Sequence, residues 1–237
     1  MRATPLLLCL VVLTASAGDR LGGSVGVTSD YRLNGLSLSG NKAAVQAEVH
    51  LQTSADSGGA WYGGVWASTV RLGSREGASG QIEAFLGRQW LPTPDWQTSV
   101  LVAHYAHPWD GLLKHYDYDE LTIEASFRDR LKLTAAYSPN TDLYSYYGFK
   151  EDRKSIAYEA TGTVPVRGFL VASAGLGFRD VSSFFGTGYW YGSVGLAYDR
   201  ARMHASLMRI GTDRTARHLF YRDIVDPAWV GTLLWTF

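Results

Sequence analysis

Apolar and polar residues alternate in about twelve separate segments of this sequence, and the alternation limits the folds that the chain can adopt. Residues 119–128 show it most clearly, because four apolar residues alternate there with charged and hydroxyl side chains. Successive side chains of a β-strand point to opposite faces, so a period of two predicts strands. Apolar residues at helical spacing are not sustained after residue 18, and we predict an all-β fold. The segments are residues 23–34, 43–52, 60–71, 81–90, 96–107, 119–128, 131–138, 154–163, 168–179, 188–199, 201–210 and 228–237.

The connections between these segments alternate between short and long. Every second connection is short, whereas the others are longer and reach their greatest length at residues 140–153 and 211–227. Outer-membrane barrels combine short periplasmic turns with longer outer loops, and a β-sandwich has no reason to alternate in this way. We therefore predict a closed, antiparallel, up-and-down transmembrane β-barrel of about twelve strands, with both termini in the periplasm. The short connections are residues 54–59, 91–95, 128–130, 164–167 and 199–200.

The N-terminus has the pattern of a secretory signal peptide, with Arg2, an apolar run at residues 6–13 and a small-x-small site at residues 15–17. We predict that residues 1–17 are the signal peptide and that residues 18–237 form the barrel. Cys9 is the one cysteine of the sequence and lies in the signal, which excludes disulfides and thiolate metal sites from the mature chain. After the signal, no apolar run exceeds four residues, whereas a membrane-spanning helix needs roughly 20. A membrane location therefore requires a closed barrel.

The C-terminal segment, residues 228–237, ends on an aromatic residue with no polar tail. Trp235 and Phe237 fall on the same face of this predicted strand, which would pair with the first strand to close the barrel. A terminal aromatic is also typical of the signal that the outer-membrane barrel-assembly machinery reads. We therefore predict that Trp235 and Phe237 form an assembly signal.

The charge balance and the aromatic residues limit the kinds of partner that this chain can bind. The sequence has 22 basic and 22 acidic residues, and this balance argues against nucleic acid as a partner. Most tryptophans lie near the ends of predicted strands, where their rings suit the two interfaces between lipid and water. We expect outer-membrane lipids to surround the chain at these rings. The tryptophans concerned are Trp61, Trp90, Trp96, Trp109, Trp190, Trp229 and Trp235.

The polar face of the alternating segments predicts the residues that line the lumen. These residues carry both signs of charge, so we expect weak ion selectivity from them. The alternative is that the charges pair with one another across the barrel and close it. The eighth to tenth segments contribute mostly small inward residues, such as Ser173, Gly175 and Gly177, which would leave a narrow polar path beside them. The predicted lumen-lining residues are Asp30, Arg32, Asn34, Gln46, Glu48, His50, Glu124, Lys132 and Glu159.

Three stretches near the start of the chain carry a resemblance to a known family. They are Ser-Asp-Tyr-Arg-Leu-Asn-Gly-Leu-Ser-Leu-Ser at residues 29–39, Ala-Ala-Val-Gln-Ala at 43–47 and Trp-Tyr-Gly-Gly-Val-Trp-Ala-Ser at 61–68. Over residues 24–70 the sequence resembles the TorF-type porins of Gram-negative outer membranes. Where that family has arginine before the glycine, this chain has Asn34, and Arg32 lies two residues earlier on the same face. The resemblance implies a barrel and a porin function without a defined substrate.

Candidate catalytic and metal-binding residues are few. His104 or His107 with Ser99, and His204 with Ser206, could form nucleophile and base pairs of a lipid hydrolase, but neither pair lies in a recognisable motif. Residues 115–119, His-Tyr-Asp-Tyr-Asp, could hold calcium weakly but lack a full set of oxygen ligands. We predict no enzymatic activity, no cofactor and no metal site.

The sequence favours an outer-membrane channel for the passive diffusion of small polar solutes or ions. Its expected partners are outer-membrane lipids, the barrel-assembly machinery and the solutes themselves. A purely structural outer-membrane barrel and a barrel-embedded enzyme remain as alternatives. A secreted β-sandwich that acts as a binding module is a third, from another class of protein.

Overall fold

A computed structural model describes residues 20–55, 59–72, 79–108, 116–141 and 153–237. The predicted signal peptide, Trp109 and His115 lie outside the described residues, as does most of the long connection at residues 140–153. The expectations for those positions therefore stay predictions.

Twelve antiparallel strands form a closed barrel, as the alternation predicts. Each barrel strand pairs with the next along the chain, and β1 pairs with β14 to close the circle. Two further strands, β2 and β3, form a separate two-stranded sheet. The strands are β1 (Arg20–Thr28), β2 (Arg32–Leu33), β3 (Leu36–Ser37), β4 (Ala44–Gln52), β5 (Ala60–Val70), β6 (Ser79–Thr93), β7 (Trp96–Ala106), β8 (Tyr118–Phe127), β9 (Leu131–Thr141), β10 (Arg153–Arg167), β11 (Leu170–Asp180), β12 (Gly188–Arg200), β13 (Met203–Thr212) and β14 (Ala228–Thr236).

The C-terminus closes the barrel through main-chain hydrogen bonds. Val25 of β1 lies opposite Trp235 of β14. The amide N–H of Phe237 donates to the carbonyl of Gly23 at 3.0 Å, and the amide N–H of Gly23 donates back at 3.1 Å. These bonds remove the free edge that an open sheet would leave at its first and last strands.

The two faces of the barrel wall differ as the period of two requires. On β8, Ile123 points outward with 53% of its surface exposed, whereas its neighbour Glu124 points into the lumen. Exposed tryptophans lie at both ends of the outer face. Trp61 and Trp235 lie at the end where β1 begins and β14 ends, whereas Trp190 and Trp229 lie at the opposite end. We call these the terminal end and the loop end. Between them, the exposed side chains are mostly Val, Leu, Ile and Tyr.

The prediction of a first strand over residues 23–34 is wrong about where this strand ends. Strand β1 ends at Thr28, and the chain then turns into the barrel instead of continuing along the wall. Asn34 and Gly35 adopt positive φ angles of 50° and 82°, and they form the turn between β2 and β3. Tyr31 and Leu33, which the alternation placed on the outer face, are therefore buried, with 0% and 7% exposure.

Apolar and polar side chains are buried in the interior in similar numbers. One buried cluster lies along β5, β6 and β7 and includes Tyr31, Trp66 and Tyr105. A second cluster lies at the loop end, where Leu36 packs against Tyr189 and Tyr191 of β12. Among the described residues, the lumen is thus packed by these apolar clusters together with buried polar side chains such as Gln81 and Glu83.

Within the described residues, three short helices lie in the loop-end connections, where the alternation indicated only loops. They are α1 (Ser182–Phe185), α2 (Arg214–Leu219) and α3 (Arg222–Val225). The Asp213 side chain caps α2 by accepting a hydrogen bond from the Ala216 amide at 3.0 Å. None of the helices in the described part of the chain is long and apolar enough to cross a membrane.

Three predicted turns are also displaced, because β6 continues to Thr93, β10 to Arg167 and β12 to Arg200. Residues 164–167 were expected to connect two strands, but β10 continues through them to Arg167. Val164 and Val166 remain on the exposed outer face, and the register shifts between Pro165 and Arg167, where proline cannot donate a ladder hydrogen bond. The turn itself is formed by Gly168, with a φ of 58°, and Phe169.

Candidate functional site

Residues 29–42, which we call the inward segment, are held together by a buried polar network centred on Asp30. The Asp30 carboxylate forms an ion pair with the Arg32 guanidinium at 2.5 Å. It also accepts hydrogen bonds from the hydroxyls of Ser37 at 2.6 Å and Ser39 at 2.9 Å. A buried carboxylate needs such partners, because desolvation without them costs several kcal/mol.

The network fixes the inward segment to the barrel on two sides. Arg32 also donates to the Gly35 carbonyl at 3.1 Å and to the Asn41 side-chain oxygen at 2.8 Å. The Asn41 amide in turn donates to the carbonyl of Asp223 in α3. The Arg71 amide N–H donates to the Leu38 carbonyl at 2.8 Å, which attaches the segment to the end of β5.

A cavity lies between the inward segment and the wall formed by β7 to β10. Its volume is about 40 Å³, enough for a few water molecules, and part of it is open to solvent. The lining runs along the barrel axis, from Glu120 near the loop end of β8 to Lys132 near the terminal end of β9. The lining residues are Asn34, Tyr62, Ser99, Leu101, Tyr105, Glu120, Thr122, Glu124, Lys132, Thr134, Ala136, Ala157, Glu159 and Tyr191.

The charged residues of the cavity lie on one wall. The Lys132 ammonium lies 3.4 Å from the Glu124 carboxylate on the neighbouring strand. Glu120 accepts a hydrogen bond from the Thr122 hydroxyl at 3.2 Å, and Glu159 accepts one from the Thr161 hydroxyl at 3.0 Å. The second carboxylate oxygen of Glu159 is buried, and the Tyr191 hydroxyl interacts with Glu159.

Tyrosine rings form the facing side of the cavity and lie over glycines. Tyr191 is directly opposite Gly177 on the adjacent strand, and a Cβ atom at position 177 would lie 2.2 Å from the Tyr191 Cζ. Tyr62 lies over Gly87 in the same manner, at 2.6 Å. The expectation of an open path beside the small residues of β11 is therefore wrong at Gly177, because a bulky neighbour fills the space that the glycine leaves.

The structure gathers four of the nine predicted lumen residues at this cavity: Asn34, Glu124, Lys132 and Glu159. The other five lie elsewhere inside the barrel. Asp30 and Arg32 belong to the inward segment's network, and Glu48 and His50 form their own pair on β4 at 2.9 Å. Gln46 is buried on the same strand.

Sequence reasoning did not select Glu120, Tyr62, Tyr105 or Tyr191 for the lumen. Glu120 has the same parity as Glu124 on the same strand, so the alternation contained the signal for it. The tyrosines lie on faces shared with apolar or small residues, and their approach to the cavity depends on which strands become neighbours.

Two of the candidate histidine and serine pairs, His104 with Ser99 and His204 with Ser206, do not meet as a base and its nucleophile. His104 points outward beside Asp119, whereas Ser99 lines the cavity, as their opposite parity predicts. His204 contacts Asp199 through Nδ1, but its Nε2 has no hydrogen-bond partner, and so it does not contact Ser206 as a base would. The described residues contain no group of three or more His, Cys, Asp or Glu side chains that could hold a metal ion.

Comparisons with known proteins give a family and a fold. Residues 13–237 match the model of Gcw_chp, described as a bacterial protein of unknown function. No curated protein matches the chain. Among solved structures, the COG4313 outer membrane channel from Pseudomonas putida F1 is similar in fold, with a TM-score of 0.57 at 9% identity, and the alignment covers 94% of this chain and 96% of that one. A chain from a study of the in-meso crystallization of membrane proteins gives 0.56 at 9% identity, covering 91% of this chain and 83% of that one.

Proposed function

The chain belongs to Gcw_chp, a family of bacterial proteins of unknown function, and we propose that it is an outer-membrane channel for the passive passage of small polar solutes or ions. The fold supports this proposal. A closed barrel makes the main-chain hydrogen bonds of all its strands internally and can therefore lie in lipid. The COG4313 protein, which is similar in fold, is described as an outer membrane channel. That description agrees with the channel function proposed for this barrel.

The outer surface supports a location in the membrane. Its middle is apolar and its two ends carry exposed tryptophans, the arrangement that places amphipathic rings at both interfaces. Arg88 lies over the rings of Trp61 and Trp90 at 5.1 and 5.7 Å, so a cation at the terminal end lies beside two of these rings. Outer-membrane lipids are accordingly the proposed surroundings of this surface, and the assembly machinery is the proposed partner that inserts it.

The cavity beside the inward segment is the observation that carries the channel proposal. Eight of its fourteen lining residues are polar or charged, and the lining includes residues along β8 and β9 from Glu120 to Lys132. Water molecules and small ions can be coordinated there by carboxylates, hydroxyls and the Asn34 amide. Because apolar clusters and buried polar side chains pack the interior around it, we propose that only small solutes pass.

Recording from planar bilayers tests this function. Purified protein should first be shown to be folded, by a different migration of unboiled and boiled samples on a gel. This protein should then produce discrete current steps in potassium chloride. Folded protein that inserts and gives no steps at any voltage would contradict the channel and favour a structural barrel. Activity against lipid esters in the same preparation would favour an enzyme instead.

A further inference from the structure

We propose that the outer face of the barrel binds the headgroup of an anionic phospholipid at the terminal end of β10, β11 and β12, and that two arginines hold its phosphate. The surface concerned, which we call the arginine rim, consists of Arg167, Phe169, Leu170, Tyr198 and Arg200. The inference rests on the proposed location of the barrel in a membrane. It does not require conduction, because no residue of the arginine rim lines the cavity.

The irregular end of β10 brings Arg167 to the outer face. Val166 is exposed on that face, so a regular strand would direct residue 167 into the lumen. The register against β11 shifts between Pro165 and Arg167, and the shift puts Arg167 directly opposite Leu170. Opposite residues of antiparallel strands share a face, and Leu170 has the same parity as the outward-facing Leu176. The irregularity therefore re-aims the Arg167 side chain from the lumen to the outside.

Arg200 lies on the same face, two strands away from Arg167. Tyr198 is opposite Leu170, and Arg200 is the next outward residue along β12. The Arg200 guanidinium carbon lies 5.5 Å from the centre of the Phe169 ring, over the turn that follows Arg167. Neighbouring strands are about 4.8 Å apart, which places the Cα atoms of Arg167 and Tyr198 roughly 10 Å apart. Two extended arginine side chains can therefore reach one phosphate group that lies between them.

The arginines of the rim keep their charge available for a ligand. Neither Arg167 nor Arg200 forms an ion pair with another described residue. Asp199, the neighbour of Arg200 in the sequence, pairs instead with the buried His204. Unpaired guanidinium groups suit the bidentate recognition of phosphate. The three adjacent terminal-end turns together carry five arginines and one aspartate, namely Arg128, Asp129, Arg130, Arg167, Arg200 and Arg202.

Apolar residues beside the arginines define the ligand as an amphiphile. Val166 and Phe169 are 56% and 54% exposed, and they continue the apolar outer face of the barrel. An inorganic anion would contact the arginines without covering this apolar surface, and an uncharged lipid would cover the surface without offsetting the positive charge. An anionic phospholipid does both, because its phosphate meets the guanidinium groups while its acyl chains lie along the outer face.

Native mass spectrometry of the folded protein in detergent, titrated with phosphatidylglycerol, tests this site. Wild-type protein should bind phosphatidylglycerol more tightly than phosphatidylcholine, which carries the same phosphate and chains without net charge. Arg167→Gln combined with Arg200→Gln should weaken the binding of phosphatidylglycerol more than about tenfold, since each basic residue near an anionic lipid surface contributes about fivefold in affinity. The binding of phosphatidylcholine should stay unchanged.

Two further double variants serve as controls. Arg214→Gln combined with Arg222→Gln removes two exposed positive charges from helices at the loop end, and it should bind phosphatidylglycerol as the wild type does. Arg167→Lys combined with Arg200→Lys keeps both charges at the arginine rim and should retain most of the preference for phosphatidylglycerol. The lysine variant thus distinguishes a loss of charge from a loss of folding.

The possible results separate this site from the channel. Equal affinity of the wild type for the two lipids, or equal losses in the two double glutamine variants, would overturn the lipid site. If phosphatidylglycerol binds in the expected pattern but the protein gives no current steps, the channel proposal fails and the lipid site stands. Current steps without a preference for phosphatidylglycerol would leave the channel and remove the lipid site.

Discussion

Asp30 and Arg32 form an ion pair inside the barrel, with 2.5 Å between the carboxylate Oδ2 and the guanidinium Nε, and both side chains are almost completely buried. The pair holds the inward segment, which bounds the cavity through Asn34. Removing one partner of a buried pair leaves an uncompensated charge, which is more costly than losing the attraction itself.

Asp30→Asn should therefore lower the free energy of unfolding by about 3–5 kcal/mol. Urea titration of the folded protein in detergent, followed by its shift on unboiled gels, measures this change. Asp95→Asn is the control, because Asp95 pairs with Arg128 on the exposed surface and such pairs contribute about 1 kcal/mol or less. Equal effects of the two substitutions would show that the inward network does not stabilise the barrel.

Gly177→Ala should destabilise the protein by roughly 1–3 kcal/mol, because the new methyl group would overlap the Tyr191 ring. The ring must move toward the cavity, so single-channel conductance should fall as well. Gly231→Ala provides the comparison, since a Cβ atom at that position meets nothing within 4 Å. If Gly177→Ala is as harmless as Gly231→Ala, Tyr191 does not pack as described.

The faces of β8 can be tested with two neighbouring residues. Ile123→Arg places a charge on the apolar outer face and should cost roughly 2–4 kcal/mol in lipid. Glu124→Gln changes a residue that faces the polar cavity, and it should fold normally. Folding yields in lipid vesicles distinguish the two, and similar losses from both would mean that the outer face does not contact lipid.

The alternation of the sequence was sufficient to predict the barrel, its strand number and the orientation of residues such as Ile123 and Lys132. It failed at residues 29–34, because polar and apolar residues continue to alternate there after β1 has ended. What turns the chain inward is the contact of Asp30 with Ser37 and Ser39, and such contacts within a loop leave no periodic signal.

The candidate site was predictable only in part. Parity placed Glu124, Lys132 and Glu159 in the lumen, but the filling of Gly177 by Tyr191 depends on the register of β11 against β12. Register follows from turn geometry and packing, which the sequence pattern does not specify to one residue. The resemblance to TorF-type porins stays a prediction, since the matching family is described only as one of unknown function.

The assembly role of the C-terminus also stays a prediction. Changing Trp235 and Phe237 together to serine should greatly reduce the amount of folded protein in the outer membrane, because these residues end the closing strand. Trp229→Ser is the control, as Trp229 is an equally exposed tryptophan at the other end of β14. Cell fractionation measures the result, and normal membrane levels of the double variant would argue against an assembly signal.

Chemical modification of one cavity position tests most directly whether solutes pass through the cavity. Cys9 is the one cysteine of the sequence, so a chain that starts at Gly18 offers no competing thiol. Ala136 lines the cavity, whereas its neighbour Ala135 lies on the outer face. A charged methanethiosulfonate reagent added during planar-bilayer recording should reduce the single-channel conductance of Ala136→Cys in discrete events and leave Ala135→Cys unchanged. Current steps that persist unchanged in fully modified Ala136→Cys would contradict passage through this cavity.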